Sequence, residues 1–332
     1  MLLAGDLGAT KTLLGLFEPR PGRPVPAAVR TFATRDFRDL GDMVAAFLAA
    51  EGAPPDRIEA ASIGVAGPVG EDRARLTNAG WMVAAADLTR RFGVLDVRLL
   101  NDLEATAWSL PVLGASELEV LQPGEAAPQG TLAIIAAGTG LGMALVVRSD
   151  GVYRPVASEG GHGDFAPTSE REVALLRMLI ADKGRAQWED VVSGPGLTAL
   201  HRFTHAGPCP EVGEAIEAAG RPAAISRAAL ESGCLECRNA LDLFVTIYGA
   251  AAGNLALTAA ATGGVYVGGG IAPRILPALR AGGFMAAFRR KAPMERLLAR
   301  IPVQLILNPE AALLGAAVHA NGRIRNPDRR PG

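Results

Sequence analysis

Short apolar runs broken by glycine-bearing polar turns set the rhythm of this chain. It opens with "LLAGDLGATKTLLGLF" (Leu2–Phe17), two apolar runs on either side of one polar turn. The runs are too short and too β-rich for helices, so the pattern predicts a strand, a hairpin turn and a second strand ending at Glu18-Pro19. "TLAIIAAGTGLGMALVV" (Thr131–Val147) repeats that plan. "VRLLNDLEATAWSLP" (Val97–Pro111) predicts a strand, "VRLL", passing into a helix, "LEATAWSL", that stops at Pro111. "GGVYVGGGIAP" (Gly263–Pro273) predicts a short buried strand running into three glycines. Before it lies a small-residue helix, "YGAAAGNLALTAA", whose Gly249 and Gly253 permit close packing. Near the end, Asn308 as N-cap and Pro309 at the first position predict a helix over "EAALLGAAVH", after which "RNPDRRPG" has no apolar period.

Length turns these elements into an α/β protein of two lobes, because 332 residues exceed one ordinary compact domain. A smaller lobe is expected over 1–110, joined by the C-terminal helix and tail at 309–332, and a larger lobe over 111–308. The segments Pro19 to Pro26 and Ala206 to Pro222, rich in proline and glycine, are expected as surface loops. Hydrophobic residues at 49% and charged residues at 20% describe a globular chain with an ample core. A net charge of -1 leaves no basic footprint, so nucleic acid is not expected as a partner. No apolar run reaches the ~18 residues of a membrane span, and the N-terminus lacks the basic flank of a signal peptide. Of three cysteines, Cys234 and Cys237 form a C-x-x-C. With no second pair or histidine cluster nearby to complete a zinc site, the thiols are expected to be inert and the compartment cytoplasmic.

Two glycine motifs invite readings that the residues refuse. "GDLGATKT" nearly spells a P-loop, but Thr10 stands at the second glycine and a strand, not a helix, follows. "GTGLG" has the wrong glycine spacing for a dinucleotide fingerprint and also precedes a strand. What remains is a turn whose backbone N–H groups can converge on phosphate, with Asp6, Thr10 and Lys11 clustered beside it. Asn101 and Asp102 fall at the carboxyl end of a strand, where open α/β sheets place their ligands. A helix cap and a catalytic carboxylate are both open readings of Asp102. "SEGGHGDFAP" (Ser158–Pro167) sets Glu159 and His162 among three glycines, on backbone poorly suited to a regular element.

Taken in order, "AGDLGATKT", "LLNDLEATAWSLP", "AAGTGLGMALV", "EGGHGDFAP", "VVSGPGLTAL", "GNLALT" and "GGVYVGGGIAPR" resemble the bacterial ATP-dependent glucokinase family, from Leu3 to about Ala317. The resemblance implies the hexokinase/actin/Hsp70 ATPase fold (ribonuclease H-like), with two α/β lobes around an interdomain cleft. It implies a homodimer that phosphorylates D-glucose at its 6-hydroxyl with Mg-ATP. By the same resemblance, the turn Gly5, Asp6, Leu7, Gly8, Ala9 and Thr10, with Lys11, is the first phosphate loop, and Asp6 faces Mg2+ through water. Gly138, Thr139 and Gly140 match the second phosphate loop, and Gly269 and Gly270 lie on the adenosine side. Asp102 matches the base and Asn101 lies beside it on the sugar. Glu159, His162 and Glu189 match sugar ligands, and Asn78 a polar residue near the sugar. Ala9 stands where the family often has glycine.

The chemistry suits these residue types. A sugar hydroxyl is a poor nucleophile at neutral pH, so a carboxylate accepts its proton as the bond to phosphorus forms. Carboxylates take strong hydrogen bonds from vicinal hydroxyls, and an imidazole donates or accepts according to tautomer. A kinase of the repressor/open-reading-frame/kinase group acting on fructose or an N-acetylhexosamine is the alternative, although "GHGDFAPTSERE" lacks that group's cysteine-rich motif. A sugar-sensing transcription factor would need a helix-turn-helix before Leu3. An actin- or Hsp70-like ATPase would not need Asn101, Asp102, Glu159 and His162 together.

Overall fold

A computed structural model describes residues 1–76, 80–94, 96–205, 209, 211–213 and 220–324. In chain order the elements begin with β1 (Leu2–Leu7), β2 (Lys11–Glu18), β3 (Val25–Ala33), α1 (Leu40–Ala50), β4 (Ala60–Val65), β5 (Val69–Gly70), β6 (Arg73–Leu76) and β7 (Trp81–Ala84). Then come α2 (Ala85–Phe92), β8 (Val97–Asn101), α3 (Asp102–Ser109), β9 (Leu118–Gln122), β10 (Leu132–Ala137), β11 (Leu141–Ser149) and β12 (Val152–Ser158). They continue with α4 (Glu170–Lys183), α5 (Gly194–Thr204), α6 (Arg221–Arg227), α7 (Leu235–Thr258), β13 (Gly264–Gly268), α8 (Leu276–Arg280) and α9 (Gly283–Arg289). The last are α10 (Glu295–Arg300), β14 (Val303–Ile306) and α11 (Ala311–Ile324). Two compact units result: Met1–Gly114 with Tyr153–Pro155 and Asn308–Gly332, and Ala115–Val152 with Val156–Leu307.

The first unit is a five-stranded sheet in the order β3-β2-β1-β4-β8, with β1, β4 and β8 parallel and β2 and β3 antiparallel. Period-two alternation sorts β1 between two cores. Leu3 and Leu7 join Met43, Val44 and Phe47 of α1, whereas Leu2 and Ala4 join Leu313, Ala316 and Ala317 of α11. Central β4 (AASIGV) is buried along its whole length, as a strand covered on both faces must be. Two glycines let α3 sink onto this scaffold. A Cβ at Gly64 would lie 2.9 Å from Ala105 Cβ, and one at Gly315 of α11 only 1.7 Å from the Ala105 carbonyl oxygen.

The second unit repeats the design, in the order β12-β11-β10-β13-β14-β9. The hairpin β10/β11 stands where β1/β2 stands in the first sheet, and β13 and β14 run parallel to β10. Helix α7 is long and apolar enough to cross a membrane by length and composition, but 78% of that stretch is buried in this unit's core. Gly249 and Gly253 bring α7 against the Phe284 and Phe288 carbonyls of α9, where a Cβ would stand at 2.1 and 2.5 Å. The phenol of Tyr248 on α7 accepts the Ala137 N–H at 3.2 Å and donates to Ile135 O at 3.2 Å, with Gly268 O at 3.4 Å. One buried oxygen thereby ties α7 to the carboxyl ends of β10 and β13.

Local boundaries differ from the sequence pattern in four places. Gly5, Asp6 and Leu7 belong to β1, so the first turn is only Gly8–Thr10. Asn101, not Asp102, caps α3: its Oδ1 accepts the Leu103 and Glu104 N–H groups at 2.9 and 3.4 Å. Asn308 Oδ1 does accept the Glu310 N–H at 2.8 Å, yet α11 starts two residues beyond Pro309, at Ala311. The stretch expected as a loop up to Pro222 ends inside α6, where Pro222 fits the first turn, which needs no proline N–H.

Replacing Gly315 by alanine should overpack α11 against α3. We expect a loss of about 3 kcal/mol, seen as a lower urea midpoint with intact secondary structure. An unchanged midpoint would mean that the two helices separate at no cost.

Candidate active site

In the first unit, the register aligns Asp6 of β1 with Gly64 of β4, and Val65 with Asn101 of β8. Parallel pairing therefore delivers Asp6 and Asp102 at the carboxyl ends of their strands, the end at which such sheets bind ligands. Burial and the neighbouring charge of Asp102 push the Asp6 carboxyl up to about 6, against a smaller opposing pull from Lys11. Burial also raises Asp102, while the Leu103 N–H, 2.8 Å from its Oδ1, works the other way. Asn101 is committed on both sides of its amide: Oδ1 caps α3, and Nδ2 donates to Gly67 O at 3.0 Å. It takes the cap position of α3 and ties the loop after β4 to the start of that helix.

The first turn is held from outside itself. Gly8 N–H bonds to Lys11 O at 3.2 Å, and Thr34 Oγ1 donates to Gly8 O at 2.7 Å while taking a hydrogen bond from Thr12 Oγ1. Among the described residues, the N–H groups of Ala9 and Thr10 are left without partners. The second unit builds its turn alike: Gly138 N–H bonds to Gly140 O at 2.9 Å, and Thr139 and Gly140 keep theirs unpaired among the described residues. Two adjacent free N–H groups on a turn suit an anionic oxygen. A Cβ at Gly140 would stand 2.5 Å from Glu189 Oε2, so only glycine admits that carboxylate here.

Glu189 Oε2 accepts the Leu141 N–H at 2.9 Å, which locks the phosphate-type turn to the segment expected to hold sugar. His162 Nε2 lies 3.8 Å from Glu159 Oε2, and both side chains are largely solvent-facing. His162 Nδ1 stands 3.3 Å from Gln187 Oε1. The glycines here serve packing: a Cβ at Gly161 would meet Leu141 O at 1.9 Å. Gly138 O accepts the Gly194 N–H at 2.8 Å, and Ser193 caps α5. Beside this junction a cavity of about 420 Å³ is walled by Pro195, Pro222, Ala223 and Ile275, with Gly138 and Gly270 at its edge. Its apolar walls suit a flat heteroaromatic ring. Gly269, at φ +84°, has room for no Cβ, since Ala137 O would lie at 2.3 Å.

Of the residues singled out in the sequence, Asn78 lies outside the described residues. Asp6, Asn101 and Asp102 come together in the first unit, and Gly138, Thr139, Gly140 and Glu189 come together in the second. Sequence reading missed Thr34, Ser193, Tyr248 and the α6 wall, all of which act through distant backbone groups. It also missed the company the thiols keep. Cys234 and Cys237 do not stand alone: Cys209, His201 and His205 gather around them, brought there by the packing of α5 on α7.

The glucokinase family profile matches residues 3–323. The chain is 40% identical to a glucokinase of a Synechocystis strain, over 96% of this chain and 97% of that protein. It is 39% identical to a glucokinase of Chromobacterium violaceum, over 96% and 88%. Its structure is similar to that of a glucokinase from an Antarctic psychrotroph, with a TM-score of 0.86 at 29% identity, covering 97% and 98% of the two chains. It also shares a fold with a ROK family glucokinase from Streptomyces griseus in complex with glucose and AMPPNP, with a TM-score of 0.65 at 24% identity, covering 97% and 99%. These likenesses bear out the α/β actin-like ATPase fold.

Asp6 supplies a pH test. Its folded value of about 6 lies above the ordinary 3.8, so the native state holds this proton more tightly than the unfolded chain. Stability contributed by the group is therefore lost as pH rises from about 4 to about 6. In divalent-free buffer, Asp6→Asn should gain on the wild type across that window and keep the gain above it, by roughly 3 kcal/mol. Thermal unfolding of both proteins at several pH values checks this, and a difference independent of pH would contradict it.

Proposed function

The chain belongs to the glucokinase family and is an ATP-dependent sugar kinase, and we propose that Asp102 takes the proton from the 6-hydroxyl of D-glucose. As that oxygen forms its bond to the γ-phosphorus, the bond from phosphorus to the β-phosphate oxygen breaks, giving glucose 6-phosphate and ADP. The observation that carries this reading is the placement of Asp102: at the carboxyl end of a parallel strand, beside the α3 cap Asn101, solvent-accessible to a substrate and raised in pKa by desolvation of its carboxyl. A carboxylate so raised is a better proton acceptor at the operating pH.

The remaining roles divide by unit. In the first, the free N–H groups of Ala9 and Thr10 and the charge of Lys11 face phosphate. In the second, Thr139 and Gly140 offer a matching pair, and the cavity beside Gly138 and Gly270 takes the adenine ring. Glu159, His162 and Glu189 bind ring hydroxyls, and the remaining amide N–H of Asn101 is available to the sugar. Asp6 fits a magnesium ion: a desolvated carboxylate already crowded by a second negative charge presents hard oxygen, and the bound ion supplies neutralisation of phosphate charge. Three free thiols support a reducing, cytoplasmic setting. A homodimer is proposed on family resemblance alone, and light scattering after gel filtration decides it.

A coupled assay with ATP should show glucose phosphorylated far more efficiently than fructose, whose hydroxyls sit elsewhere on the ring. Equal efficiency would refute the substrate assignment. Asp102→Asn should lower kcat by about 100-fold or more with glucose binding retained, measured by calorimetry alongside the assay. Near-normal turnover would reduce Asp102 to a structural first residue of α3.

A further inference from the structure

A second cluster of chemistry lies in the larger unit, where α5 ends and α7 begins. His201 and His205, one helical turn apart, stack with ring centroids 3.7 Å apart at 31°. Cys209 follows them, and Cys237 sits in the first turn of α7. One donor atom from each of His201, His205, Cys209 and Cys237 lies within 4.8 Å of all the others. Cys209 Sγ stands 3.7 Å from Cys237 Sγ and 3.9 Å from Cys234 Sγ. Those separations far exceed a disulfide bond of about 2.05 Å. They match the ~3.8 Å edge of a tetrahedron with metal–sulfur bonds of ~2.3 Å.

The imidazoles are also prepared. His205 Nδ1 lies 3.0 Å from His201 O, and because a carbonyl only accepts, Nδ1 carries the proton and Nε2 keeps a lone pair. Nε2 of His205 and Nε2 of His201 are both buried without a hydrogen-bond partner among the described residues. Inert packing accounts for buried cysteines, which are common in cores. It does not account for two unsatisfied ring nitrogens placed among them, each of which costs free energy unless something bonds to it.

We propose that His201, His205, Cys209 and Cys237 bind one zinc ion. Borderline-soft nitrogen and sulfur donors in a four-coordinate set select zinc over magnesium or calcium. Binding releases the two thiol protons to solvent, and two thiolates with Zn2+ leave the buried centre neutral. Cys234 positions the turn: its Sγ accepts the Cys237 N–H at 3.5 Å. Four protein ligands leave no open position, so the ion is structural. It clamps the end of α5 to the start of α7, away from the transfer chemistry.

The test uses the full chain, purified without a histidine tag from zinc-replete culture. Elemental analysis should find about one zinc per chain, and cobalt substitution should give the visible spectrum of a tetrahedral thiolate site. Cys209→Ser and His205→Gln should each weaken zinc binding at least tenfold and lower Tm, with kcat at 25 °C within about twofold of wild type. If Cys209→Ser fails to fold, His205→Gln, on a partly exposed side chain, still reports zinc content. Protein that folds metal-free with a Tm indifferent to zinc and chelator overturns the proposal. So does zinc content unchanged in both variants, or thiols found joined in a disulfide.

Discussion

Two carboxylates crowded into one desolvated corner govern the design of the first unit. The charge of Asp102 bears on the half-buried Asp6, and the sheet has to hold both there against that repulsion. It does so with parallel pairing, which brings β1, β4 and β8 to a common end, and with glycine at the places where α3 must come close. Gly64 and Gly315 receive α3 from two sides. In the reaction proposed above, that charge would meet a cation and a proton at the same spot.

The second unit solves a different problem with the same parts. Its hairpin occupies the same place in the same strand order, but the glycine of its turn makes room for the Glu189 carboxylate. Tyr248 gives the arrangement its rigidity. Its phenol serves two strand ends at once, and a phenylalanine there would leave Ala137 N–H buried and unpaired.

Much of this was legible in the sequence because it is local. Alternation and glycine-bearing turns announced β1/β2 and β10/β11, and the strand-to-helix passage at Asn101-Asp102 was visible in a dozen residues. What escaped depends on contacts between segments far apart in the chain. Thr34 reaches Gly8 across the sheet, Gly194 meets the hairpin through Gly138, and Tyr248 acts over a hundred residues from Ile135. The cysteine–histidine cluster escaped for the same reason: C-x-x-C looked unaccompanied because its partners sit one helix upstream. Asn101 shows the limit of local rules: the sequence offered Asp102 as the cap of α3, and hydrogen-bond geometry gives that place to its neighbour.

Helix α11 carries a consequence for how the protein is made. It completes the core under β1 and β2 and receives α3 through Gly315, yet it is synthesised after the whole of the larger unit. For the whole time the larger unit is being synthesised, the apolar face formed by Leu2, Ala4, Leu13 and Phe17 has no cover. The nascent first unit is thus a sheet with one face bare, a natural client for a chaperone. A kinase that bound nucleotide before its proposed base was seated would waste ATP; here, the segment that seats the helix of Asp102 is made only after the larger unit.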